Sequence, residues 1–349
     1  MHKIFSLPPV VSLIIKAWML FFLICNSCRA SAFAEESTKI TEKSGQAPEM
    51  IILVVDKKNL HADLVAWPEP QQFPKLLKTF PIAVGKAEGD KQVEGDNKTP
   101  EGIYFTRKII DGDSLPDKYG PKAIPIDFPN PVDSMLGKTG HGIWLHGAGD
   151  DERIKASRVT EGCVAFFNRD IEKLTNWLQP HQGVVVIADD ATNVNRKEEW
   201  ERVTKRTQDW LSSWNARKLD SYISFYDKVF FGSKGDIKAY KAYKKRVFSQ
   251  YKRMEAAGDT LRVITHPRYA ISIMNQVFRG DQFFSDKGRK ILYWKKSPES
   301  GEWYIIREVF ENRKVKLFQF TEQEIALLSD DTPGYPSYSE KKKNSFPKL

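Results

Sequence analysis

Two short stretches hold the residues best suited to chemistry: "HGIWLHG" at 141–147 and "RVTEGCVAFFNRD" at 158–170. The first carries His141 and His146, and the second carries Cys163 directly behind Gly162. A thiolate attacks carbonyls where a thiol does not, and a free cysteine has a pKa of about 8.5. A histidine within reach lowers that value or accepts the proton. Gly162 permits close backbone approach and unusual φ. The amides around Cys163 can then point at an oxyanion developing on the attacked carbonyl. Sequence distance alone does not bring His146 to Cys163, but the ends of two strands can. Other readings stand beside this one: an inert buried cysteine, an intermolecular bridge, or a zinc site from His141, His146 and Cys163. Their spacing fits no usual zinc pattern. The acidic run Asp150, Asp151 and Glu152 reads as a solvated loop, and Trp144 as core.

The N-terminal segment sharpens the question of the lone thiol. Lys3 is followed by apolar stretches, the strongest being "AWMLFFLIC" at 17–25, and then by Ala32 and Ala34 in a small-x-small arrangement. This reads as an export signal over 1–34. The run is shorter than the roughly 20 residues of a spanning helix, and an uncleaved membrane anchor is the alternative. A lipoprotein reading of Cys28 is opposed by Cys25, which stands where an aliphatic residue belongs. Cleavage after Ala34 removes Cys25 and Cys28 and leaves Cys163 alone. Exported proteins normally pair their cysteines, so a single survivor is flagged as reactive. Cleavage also removes Lys3, Lys16 and Arg29 and no acid, so the formal charge falls by three, from +9 to +6. A mildly basic chain suits an anionic polymer such as cell wall, or an acidic membrane surface. No basic cluster is tight enough to argue for nucleic acid.

The elements that must position these residues follow from pattern. With 349 residues, 41% of them hydrophobic, the chain has room for two domains. Residues 35–49 are polar and read as a linker. From Met50, "MIILVVDKK", "HADLVAWPE", "LLKTFPIAVG", "IYFTRKII", "HGIWLHG" and "VVVIADD" read as short strands separated by glycine and proline turns. That describes a mainly β domain over 50–190. One helix is expected at "NRDIEKLTNWLQP", capped by Asn168, with Ile171, Leu174 and Leu178 on one face. Beyond it, Trp200, Val203, Thr207, Trp210, Leu211 and Trp214 follow helical spacing, and the tryptophans read as core rather than a sugar platform. A short second helix and a third at "YKAYKKRVFSQYKRMEAA" come next, then strands such as "EWYIIREVF". Helices followed by strands make an α+β domain over 195–325. The polar tail 329–349, basic at its end, reads as disordered.

At this point the residues reach a resemblance. His146-Gly147, followed by Thr160-Glu161-Gly162-Cys163-Val164, resembles the signature of the L,D-transpeptidase catalytic (YkuD-type) domain. The opening hairpin "MIILVVDKKNLHADLV" agrees, as does the segment carrying Gly85, Thr99, Pro100, Gly102 and Phe105. The helices-then-strands C-terminal part resembles an NTF2-like domain, and the pair resembles the Csd6-like branch of cell-shape proteins. The resemblance implies a YkuD-type β-sandwich with a short helix, followed by a cone-shaped NTF2-like α+β domain. It implies a periplasmic enzyme that works without cofactor or metal on peptidoglycan stem peptides at the diaminopimelate–D-Ala bond. Cys163 would be the nucleophile, His146 the base, and Gly147 part of the segment that orients the imidazole. Gly162 and Thr160 would lie at the oxyanion and substrate side, with the amides of Gly162 and Cys163 forming the oxyanion site. His141 and Arg158 are further substrate-side candidates, with Arg153 or Lys155 as alternative cations. The activity expected is L,D-carboxypeptidase; L,D-transpeptidase and hydrolytic release of a wall-bound lipoprotein are the alternatives, and a non-enzymatic wall-binding scaffold stands behind them. Glu161 and Ala165 replace basic or polar residues common in the family, which moves the expectation from cross-linking toward trimming. The second domain is expected to bind or position rather than catalyse, its ligand is open, and a homodimer is compatible with the family.

Overall fold

The computed structural model describes residues 50–67, 74–180, 183–281 and 284–312. The expected export signal, the 35–49 linker, the end of the second domain and the 329–349 tail lie outside the described residues.

The apolar run at the start of the first domain becomes β1 (Met50–Asp56), hairpinned to β2 (His61–Trp67) in unbroken antiparallel register. β3 (Lys75–Gly85) adds to β2. β4 (Gly102–Phe105), β5 (Ile110–Asp111), β6 (Lys122–Pro125), helix α1 (Pro131–Met135), β7 (Trp144–His146), β8 (Arg158–Thr160), β9 (Val164–Phe166), helix α2 (Asn168–Trp177) and β10 (Val184–Ala188) complete the domain. Nine strands run in the order β4-β10-β1-β2-β3-β9-β7-β6-β5, with β8 alongside β3. One sheet curls on itself: Leu53 of β1, Phe80 of β3, Tyr104 of β4, Ile124 of β6 and Leu145 of β7 all pack into a single core. Helix α2 closes that core with Ile171 and Leu174, and Leu178 follows just past its end.

β1 and β10 pair in parallel, and parallel strands are generally covered on both faces. Ile51, Leu53, Val55, Val185 and Ile187 face the inner core. Met50, Ile52, Val54, Val184 and Val186 face the other way, onto Ile264, Tyr269, Ile271, Ile291 and Ile306 of the second domain. Burying a side chain of this size stabilises by about 1.5–3 kcal/mol, so the run 51–55 anchors both layers.

The second domain starts with α3 (Lys197–Asn215) and α4 (Leu219–Ile223). A two-residue-stranded hairpin, β11 (Phe231–Gly232) and β12 (Gly235–Asp236), leads into α5 (Ile237–Gln250). The antiparallel sheet β13 (Met254–Thr265), β14 (Ala270–Gly280), β15 (Phe284–Lys296) and β16 (Trp303–Glu311) follows. One face of this sheet packs on the first domain, and the other takes Val203, Trp210, Trp214, Tyr222 and Tyr240 from the helices. Trp210 and Trp214 are core, as their spacing predicts, and Trp200 lies at the junction with its ring centroid 6.3 Å from that of Trp67.

Three expectations are corrected. The third helix stops at Gln250, not Ala257. Ladder pairing of Ala256 with Phe278, and two hydrogen bonds between the Asn215 amide and the Ala256 backbone, override the helix preference of "MEAA". Asn168 does not cap α2; Phe167 holds the cap position, and the Asn168 amide donates to Asp151 at 2.9 Å. Asp151 therefore belongs to the scaffold rather than to a merely solvated loop, and Asp150 caps the 3-10 turn Asp151–Ala156 by accepting from Glu152 N.

Candidate active site

β7 and β9 lie side by side in parallel, with Leu145 opposite Val164 and His146 opposite Ala165. Side chains alternate along a strand. Leu145 and Val164 point into the core, so His146, Cys163 and Ala165 share the opposite face. All three line one cavity of about 180 Å³. Trp144, two residues before His146, is on that same side, half-buried with its ring 5.0 Å from Tyr119, and not in the core as expected.

The turn before Cys163 is built around two residues. Gly162 has φ +127°, and a Cβ there would stand 2.8 Å from the Lys98 carbonyl oxygen, so no other residue fits without strain. Thr160 Oγ1 donates to the Cys163 carbonyl at 2.7 Å and accepts from Gly162 N at 3.2 Å. Thr99 Oγ1 accepts from Gly85 N at 2.9 Å and reaches the same Cys163 carbonyl at 3.4 Å. The expected pair of oxyanion amides is thereby reduced to one. The Gly162 amide is engaged by Thr160, whereas the Cys163 amide has no hydrogen-bond partner among the described residues.

His146 is fixed from three sides. Its Nδ1 lies 2.5 Å from the Gly147 carbonyl. A carbonyl only accepts, so Nδ1 carries the hydrogen and Nε2 presents its lone pair. Tyr119 meets the imidazole at 88° with centroids 5.0 Å apart. Gly147 lacks the Cβ that would collide with Asn168 Oδ1. Through that gap Asn168 bonds both Ala148 N (2.8 Å) and Ala148 O (2.9 Å), clamping the chain just beyond the histidine.

Burial pulls His146 down to about 4, and Arg153 and Lys118 act in the same direction against the Gly147 carbonyl. Burial pushes the half-buried Cys163 thiol up to about 11, with Glu161 adding to it and a Trp144 backbone contact, Lys118 and Lys91 opposing. Both shifts favour a resting pair of thiol and neutral imidazole over thiolate and imidazolium. Such a pair can deliver a nucleophile only if the proton moves to Nε2 as sulfur attacks.

Of the residues singled out in the sequence, Cys163, His146, Gly147 and Thr160 line the cavity, and Gly162 shapes the turn beneath it. His141 does not line it; it is exposed and 3.7 Å from Glu94. Arg158 is held by Glu88 at 3.4 Å and Lys155 by Glu152 at 2.6 Å, whereas Arg153 does reach the cavity. Lys86, Lys118 and Tyr119 also line it and escaped the sequence reading. They come from turn-rich or polar stretches without periodicity, and only chain reversal brings them here.

Residues 51–187 match the family model of the L,D-transpeptidase catalytic domain, YkuD, and residues 202–309 match that of the Cds6 C-terminal NTF2-like domain. Among curated proteins, the chain is 31% identical over 116 residues to YafK of Escherichia coli strain K12, by its description a candidate L,D-transpeptidase. That match takes in 31% of this chain and spans only 42% of the relative's length. Among solved structures, Bd1075 of Bdellovibrio bacteriovorus superposes with a TM-score of 0.66 at 25% identity, covering 77% of this chain and 99% of that one. The helical cell shape determining protein Pgp2 of Campylobacter jejuni has the same fold, with a TM-score of 0.60 at 23% identity over 76% of this chain and 93% of that one. The two family models thus fall in order on the two sheets: the first region is YkuD-like and the second NTF2-like.

Proposed function

We propose that the protein is an exported L,D-carboxypeptidase of peptidoglycan, which removes the terminal D-alanine of tetrapeptide stems and leaves tripeptides. The observation that carries this reading is the placement of Cys163 and His146 on one face of paired strands, over a cavity also lined by Lys118 and Arg153. Cations there suit a substrate that ends in a carboxylate. His146 Nε2 takes the thiol proton as Sγ adds to the diaminopimelate carbonyl, and the Cys163 amide steadies the oxyanion. Collapse breaks the C–N bond, His146 returns the proton to the departing D-alanine nitrogen, and a thioester remains. Water, deprotonated by His146, then releases the tripeptide carboxylate and restores the thiol.

Glu161 and Ala165, both lining the cavity, favour trimming over cross-linking, because they offer no positive group to a second, anionic stem. The likeness to a cell shape determining protein fits a trimming role in wall shape. No described helix is long and apolar enough to cross a membrane. The NTF2-like domain serves binding or positioning.

Digestion of purified sacculi, with product masses read out, tests the reading. Wild type should yield tripeptides, and Cys163→Ala should be slower by about a thousandfold or more. New dimers would indicate cross-linking, and released protein would indicate lipoprotein cleavage. D-alanine release by the alanine variant at the wild-type rate would end the cysteine mechanism.

A further inference from the structure

The loops on either side of Cys163 are tied together at one carboxylate. From the 86–101 loop, the Lys98 carbonyl packs against Gly162 and Thr99 reaches the Cys163 carbonyl. From the 136–143 loop, the Gly142 carbonyl lies 3.5 Å from Cys163 Sγ. Asp90 joins the two. Its Oδ1 accepts from Glu101 N at 2.7 Å, at the end of the first loop, and from Lys138 Nζ at 2.9 Å, at the start of the second. Lys138 is buried and also grips Asp133 at 2.7 Å. Thr139 N donates to Gln92 O at 3.0 Å, a second stitch between the same loops.

The third arm of this knot comes from the other domain. Arg268, in the turn between β13 and β14, donates to Asp90 Oδ2. Its neighbour Tyr269 is buried in the junction, where its hydroxyl accepts from Ile103 N at 2.6 Å and from Asn130 at 2.7 Å. That anchor fixes where Arg268 can reach. Arg268 is about one-third exposed, and an ion pair of that kind adds little stability. Asp90 also keeps Lys138 and the Glu101 amide without it. Losing Arg268 therefore leaves the fold standing and removes only the outer tether of the two loops.

We propose that Arg268 is a positioning residue for Cys163: through Asp90 it holds the two loops that flank the nucleophile, and so makes the NTF2-like domain part of the catalytic apparatus. The turnover arm of its test rests on the function proposed above, and the chemical arm does not. Cys163 in the full chain is alkylated with iodoacetamide at about pH 8, with the modified peptide followed by mass spectrometry. Looser loops admit water to the thiol, so Arg268→Gln should be alkylated about threefold faster than wild type. Its kcat for D-alanine release should fall about tenfold with KM within about twofold, as expected when a reacting group is misplaced but binding is kept. Tm should stay at the wild-type value, and Arg268→Lys should restore both rates. Alkylation of Arg268→Gln at the wild-type rate, or a faster rate seen only with a lowered Tm, overturns the proposal. Absence of D-alanine release by the wild type would sink the functional reading alone, because the alkylation comparison would still decide this one.

Discussion

The cavity at Cys163 and the interior of the second domain both bury titratable groups, but surround them differently. At the cavity, burial comes first and pushes both the Cys163 thiol and the His146 imidazole toward their neutral forms. Inside the second domain a buried carboxylate is held charged by its partners, while a neighbouring lysine is pushed toward losing its proton. Glu308 meets Lys290 at 3.0 Å and accepts from Tyr226 at 3.3 Å. Tyr222, Tyr226 and Tyr240 share a ring of hydroxyl contacts of 2.7 to 3.2 Å. Lys244 lies 3.9 Å from the Trp214 ring centroid. Burial lowers Lys244 to about 7, with Glu308 opposing and Lys290 adding to the effect. Burial would raise Glu308, yet the two lysines and the Tyr240 hydroxyl hold it below the usual range. The difference is instructive. A group that must gain and lose a proton within one cycle keeps its reacting atom open even when the rest of it is held, whereas a group that only holds charge is best surrounded by partners.

The strongest way to break this comparison is at His146. His146→Gln should lower kcat by about a hundredfold to ten-thousandfold, the range for loss of a general base. In the wild type, kcat/KM should hold from neutral pH downward and fall only as pH drops toward 4, where the imidazole becomes protonated. A pH–rate limb near the ordinary histidine value would mean that the resting pair is not neutral.

Lys244 gives the next effect. Between pH 7 and 10.5 the unfolded chain carries a proton on this lysine that the folded chain does not. Stability therefore rises with pH across that window, and below it the full cost of burying the charge is present. Lys244→Met should flatten the rise by a few kcal/mol, about 1.4 kcal/mol per unit of pH. Urea unfolding of both proteins at a neutral and an alkaline pH reads this, and parallel slopes would show that Lys244 is not charge-frustrated. The smallest effect belongs to Lys118, which lines the cavity but is exposed. Lys118→Gln should raise KM for a tetrapeptide by about threefold and spare kcat, the mark of binding shared by ground and transition states. Steady-state kinetics on a soluble muropeptide would separate the two constants.

How much of this was legible beforehand depended on whether the information was local. β1, β2, β3 and β10 are continuous or alternating apolar runs ended by charge, proline or glycine, and their burial follows from pattern. Cys163, Gly162 and His146 stand out because glycine, thiol and imidazole do jobs that few other residues can. The backbone bonds of Thr160 are not legible in the sequence, and Asn168 clamps Ala148 where a helix cap is expected, because each depends on a neighbour reached through the fold. Lys118 and Tyr119 sit in "SLPDKYGPK", where no periodicity says which way a side chain points. Arg268 meets Asp90 across more than half the chain, and no local pattern marks such a pair.

One feature of the fold bears on how the molecule melts. β1 and β10 give alternate side chains to two cores, one enclosed by the first sheet and one shared with the second. The boundary drawn along the sequence near residue 190 therefore cuts through a single continuous packing unit. Severed there, the first domain would show water a row of Met50, Ile52, Val54, Val184 and Val186, an apolar stripe of the kind that drives aggregation. Heat should find no intermediate in which one domain survives the other, so the cooperative unit of this protein is larger than either of its domains.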